Sequence, residues 1–135
     1  MSFGDLSGGD YGDPPTSLQR VQHMKRCLDD IGSLLANRAL ADLGSSRRDL
    51  AALERSLENM SEASRYVPEA WKLHADPNID WHHLSSLGDQ LREPPYSLEP
   101  EVVWQLCKDR LSPIERSVDR MLAAYSPTPP AHPSA

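Results

Sequence analysis

The sequence is poor in the residues that anchor many small folds: one phenylalanine, 6% aromatic residues and two cysteines in a chain of 135. Cys27 and Cys107 stand far apart, which excludes a disulfide-stapled scaffold and a multi-cysteine zinc module, since both need several thiols at short spacing. Each lies among apolar residues on a helix-like stretch, so both read as buried free thiols of a reducing compartment. No apolar run approaches the ~18 residues of a membrane span, and no basic start followed by an apolar stretch marks a signal peptide. The expectation is a cytoplasmic protein without membrane contact. Positive charge is also scarce: 14 Lys and Arg stand against 20 Asp and Glu, for a formal net charge of −6. Asp5, Asp10 and Asp13 lie in the first fifteen residues with no Lys or Arg, leaving −3 on the remainder. Such a surface repels a phosphate backbone on average, so RNA is not an expected general partner.

Strict alternation of apolar and polar residues is absent as well, and with it the signature of a half-buried strand. The apolar residues recur instead at steps of three and four. Thr16 or Ser17 is the expected cap of a first helix whose face is Leu18, Val21, Met24, Leu28, Ile31 and Leu34/Leu35. A connection over Asn37–Gly44 leads to Ser45 or Ser46 as the next cap. Leu50, Leu53, Leu57, Met60 and Ala63 follow on a second helix that Pro68 stops. A short helical turn surrounds Trp71 and Leu73, and Pro77 then delivers Ile79 and Trp81 to the core. Trp81, Leu84, Leu87 and Leu91 form a short third helix ended by Pro94, and Glu99-Pro100 opens a long last helix to Tyr125, bent near Pro113. The predicted fold is an all-α antiparallel bundle of four main helices plus a short turn over residues 16–125. The Gly- and Asp-rich 1–15 and the Pro-rich 126–135 read as disordered tails.

Motifs for cofactors and metals are missing. The glycines of "SFGDLSGGDYGD" have neither the preceding strand nor the lysine of a phosphate loop. His82 and His83 point about 100° apart on a helix and His74 lies elsewhere, so no metal and no cofactor is expected. Arg47, Arg48, Arg55 and Arg65 run along the second helix, but Asp49, Glu54, Glu58 and Glu62 are interleaved with them, which describes a solvated charged face. Trp71, Trp81 and Trp104 read as core aromatics.

Taken together, Met60-Ser61-Glu62-Ala63, Val67-Pro68-Glu69, the Pro77, Ile79, Trp81 step, and Glu99 with Val103-Trp104 stand in an order and spacing that resemble the HepT-like family of small HEPN-domain toxins. The family pattern at the first landmark is Ile-Gly-Glu-Ala. The resemblance covers about residues 20–122. It implies a homodimer, a minimal nucleotidyltransferase antitoxin as partner, and metal-independent RNA cleavage by a motif of Arg, four residues, His, one residue, Tyr. In such a motif the imidazole moves a proton and the guanidinium holds charge on the phosphate.

Aligned without gaps, the motif falls on Gly88 for Arg, Glu93 for His and Pro95 for Tyr, with Asp89 at the Asn that often follows the arginine. No catalytic residue is intact, and Asp89 and Glu93 put negative charge where a phosphate would approach. Loss of one stabilising donor already costs about 100- to 1000-fold in rate, so the inherited ribonuclease activity is expected to be absent. Two alternatives stay open: a divergent ribonuclease rebuilt on Glu93, Arg92 or Arg65, and a substrate-binding adaptor subunit of a nucleotidyltransferase. Tyr96, one position past the motif tyrosine, is the nearest residue to the one that the family's partner modifies with AMP. Gly88, unfavourable in a helix by about 1 kcal/mol relative to Ala, and Glu93, near the negative end of that helix, read equally as a former functional site released from its constraint or as chance drift.

Overall fold

The structure, a computed structural model, describes residues 14–92 and 99–126. Among them stand seven helices and no strand: α1 (Pro14–Leu35), α2 (Leu40–Gly44), α3 (Arg47–Arg65), α4 (Glu69–Ala75), α5 (Trp81–Arg92), α6 (Pro100–Asp109) and α7 (Leu111–Tyr125). The all-α expectation holds, with three local corrections. α1 begins at Pro14, so Ser17 is not its cap but lies inside the first turns, fully buried. Prolines suit a helix start because their fixed φ is helical and the missing N–H has no partner there anyway. The expected connection over 37–44 contains a helix. Asn37 ends α1's exit with φ 59°, a left-handed conformation that asparagine tolerates better than most residues. The Asp42 carboxylate then accepts from the Ala39 amide at 2.8 Å, holding α2 so that Leu43 enters the core.

The long last helix is two helices. Arg110, at φ −107° and ψ −23°, separates α6 from α7. Pro113 explains the position of the break: it cannot donate to a carbonyl four residues back, but as the third residue of a new helix it leaves no bond unmade. The cap at Ser46 is as expected, with its hydroxyl accepting from the Asp49 amide at 3.2 Å.

α1 and α3 form the central antiparallel pair; α5 lies on the other side of α3, and α7 on the other side of α1, with α4 packed on α7 and α6 on α2. Val21, Met24, Leu53, Leu57, Met60, Val103 and Val118 are completely buried between them. Of the three tryptophans only Trp81 is a core residue. Trp71 stacks on Tyr125 at 3.8 Å between ring centroids at the core's edge, and Lys108 lies 4.8 Å over the ring of half-buried Trp104. Both thiols are buried and free, and burial pushes each up to about 11, which keeps them protonated and unreactive.

Two lysines tie helices together by opposite electrostatics. Lys25 on α1 meets Asp119 at 3.0 Å and Glu115 at 3.2 Å on α7, and the Asp119 hydrogen bond raises its pKa. Lys72 on α4 is buried. It donates to the Ser64 carbonyl at 3.0 Å, near the end of α3, and lies 5.8 Å from the centre of the Trp81 ring, while burial lowers its pKa. A raised lysine stabilises the fold until pH climbs through its folded value; a lowered one weakens the fold in its charged form, and the penalty fades as pH rises toward 10.5.

The melting midpoint of Lys25→Met is therefore expected to converge on the parent's as pH rises above 10.5, whereas the parent gains on Lys72→Met as pH rises toward 10.5. Parallel midpoint curves between pH ~9 and ~12 would contradict both assignments. Gly32 on α1 is exposed and nothing lies within 4 Å of where a β-carbon would stand, so Gly32→Ala should stabilise by up to about 1 kcal/mol in urea titration.

Candidate functional site

The site to which the resemblance points lies on α5, where Gly88 and Asp89 fall in the penultimate turn. Gly88 is buried against α3. A β-carbon on residue 88 would overlap Ser61 Oγ outright and lie 2.8 Å from Ser61 Cβ, with the Glu58 carbonyl oxygen at 3.7 Å. Ser61 is itself fully buried, and its hydroxyl donates to the Glu58 carbonyl at 2.9 Å. The glycine is therefore a contact point between two helices, where packing rather than helix propensity favours the absence of a side chain.

One turn further along α3, Arg65 reaches the same stretch of α5. Its guanidinium donates to the Asp89 carboxylate and to the Ser85 carbonyl at 3.3 Å, and its Nε donates to Glu62 at 3.1 Å. The Asp89 hydrogen bond holds the guanidinium more firmly protonated than usual. Glu62 in turn accepts from the Tyr66 hydroxyl at 3.2 Å, and the Arg20 guanidinium of α1 lies 4.7 Å over the Tyr66 ring. The result is a chain of alternating partners, Arg20, Tyr66, Glu62, Arg65 and Asp89, across three helices. Arg65 is placed beside the motif position, with its Nε and Nη2 directed to protein acceptors.

The remaining motif residues, Glu93, Pro95 and Tyr96, lie outside the described residues, and so does the side chain of Arg92. The structure thus brings Arg65 to Gly88 and Asp89. Among the described residues no three His, Cys, Asp or Glu side chains gather as a metal site, and no helix is long and apolar enough to cross a membrane.

Two features were not read from the sequence. Ser61 was seen only as part of a landmark, although a serine where the pattern has glycine, paired with a glycine where it has arginine, was a usable signal. The second feature is a groove of about 450 Å³ that α5 shares with α6 and α7. Its floor is apolar, formed by Leu84, Leu87, Leu106 and Ile114, and Val102 stands half-exposed on its wall. Asp80 and Asp109 lie in its lining already engaged: Asp80 accepts from the His83 amide at 2.9 Å, and Gln105 donates to Asp109 at 2.9 Å. The groove is suited to apolar side chains and carries no cluster of cations for a phosphate chain.

The protein-family comparison matches residues 24–121 to a family described as ribonuclease HepT-like. Neither the curated proteins nor the solved structures contain a match. The match spans well over half of the chain and coincides with the helical bundle that carries the landmarks. The chain belongs to the HepT-like ribonuclease family of HEPN-type proteins.

Proposed function

We propose that this chain is a catalytically degenerate member of its family, retained as a protein-binding component of a toxin–antitoxin-type pair. Its expected partners are a second copy of itself and a minimal nucleotidyltransferase. The observation that carries the reading is the state of the motif position. The residue that should bear a guanidinium is Gly88, buried against Ser61, and the next residue, Asp89, engages the nearby Arg65.

A phosphodiester in the transition state needs unspent donors and positive potential at the reacting oxygens. Here the Arg65 guanidinium, beside the motif position, bonds to two carboxylates and a backbone carbonyl. A phosphate drawn to it would stand beside the Asp89 and Glu62 carboxylates, which already take much of its positive potential. This weighs against the rival in which Arg65 replaces the lost arginine. The apolar lining of the groove between α5 and α6 supports association with protein rather than with a nucleic-acid backbone.

Purified protein incubated with single-stranded RNA in EDTA is expected to produce no more cleavage than its Glu93→Ala variant. Metal-independent cleavage that disappears in Glu93→Ala or Arg65→Ala would overturn the degenerate reading. The binding half is measured separately, by sedimentation of the chain alone and with a minimal nucleotidyltransferase. A dimer that co-sediments with the enzyme is expected; a monomer that ignores it removes that half of the proposal. Because the Asp89 side chain is 60% exposed and that of Arg65 33%, solvent screens the pair, and Asp89→Ala should destabilise by no more than about 1 kcal/mol in urea titration.

A further inference from the structure

We propose that Ser61 is a second determinant of the inactive site: its side chain fills the space that any side chain at position 88 needs, so the motif position cannot be re-armed at 88 alone. The inference rests on the degenerate reading only for its functional meaning; its physical content stands on the α3–α5 contact itself.

Gly88 sits inside a twelve-residue helix, where alanine would be preferred on propensity, and at an open helical position such as Gly32 the exchange meets nothing. At position 88 the added carbon meets two atoms of Ser61. Rotating the hydroxyl relieves one of them, at the expense of its bond to the Glu58 carbonyl. The other is Cβ, which moves only with the α3 backbone, and 2.8 Å is too close for two carbons. α3 cannot give way freely, since it packs along α1 with Leu57 and Met60 completely buried, and Arg65 holds Ser85 and Asp89 of α5. Removing the side chain of residue 61 takes away both close atoms. The next obstacle is the Glu58 carbonyl oxygen at 3.7 Å, an ordinary van der Waals distance.

The two positions must therefore show a reversal of sign. Gly88→Ala alone should lower the melting midpoint by at least about 5 °C, because overpacking outweighs the helix-propensity gain. In the Ser61→Gly background the same substitution should raise the midpoint, as Gly32→Ala does in the parent. Gly88→Arg should likewise lose more of the midpoint in the parent than in the Ser61→Gly background. Additive shifts, with Gly88→Ala having the same effect in both backgrounds, would overturn the coupling. That outcome is distinct from failure of the degenerate reading, which would appear as RNA cleavage by the parent protein whatever the midpoints show.

Discussion

The contact between Gly88 and Ser61 is the constraint on which the rest of the site depends. Two helices approach there with no side chain on one of them, and that approach sets where the neighbouring residues fall. Arg65, one turn along α3 from Ser61, meets Asp89 and the Ser85 carbonyl because α5 runs antiparallel beside it at that spacing. Separating the helices enough to admit a side chain at 88 would loosen this ion pair as well. The packing and the electrostatics of the site are thus two consequences of one interhelical distance.

Around that contact the bundle uses its few cations as structural ties. Lys72 satisfies the Ser64 carbonyl near the end of α3, and Arg120 of α7 donates to the Ala75 carbonyl at 2.7 Å, at the end of α4. Lys25 joins α1 to α7 through two carboxylates, and Arg38 pairs with Asp49 across the loop that enters α3. Helix ends expose carbonyls that need donors, and a chain with fewer bases than acids has assigned two of its bases, Lys72 and Arg120, to that task. Among the described residues, Arg65 beside the motif position is engaged by Asp89 and Glu62, in keeping with the functional proposal.

The helices were legible because their apolar residues recur at helical spacing, and Ser46, Pro68 and Pro100 marked ends correctly. α2 was missed because five residues give no measurable period and its stabilising bond runs from Asp42 back to the Ala39 amide. The break at Arg110 was read as a bend, since Pro113 announces a disturbance without saying that it falls three residues earlier. Trp71 and Trp104 were placed in the core on residue type alone, whereas their neighbours Leu73 and Val102 lie on the surface, at 50% and 46% exposure. At the site, the replaced residues were visible in sequence. Their interlocking was not, because the spacing of residues 61 and 88 says nothing of contact until α3 and α5 are laid side by side. The family landmark has glycine where this chain has Ser61, and the motif has arginine where it has Gly88. Both exchanges were in view, and only the structure shows that they meet.

Hydrogen exchange of the backbone amides of α5 measures this central claim most directly, because a locked pair of helices opens together. The amides around Gly88 should exchange as slowly as those of Leu57 and Met60, and Ser61→Gly should leave α3 protected while speeding exchange on α5. Fast exchange across residues 85–90 in the parent protein, with α3 still protected, would mean that α5 moves freely over α3 and that the motif position is open.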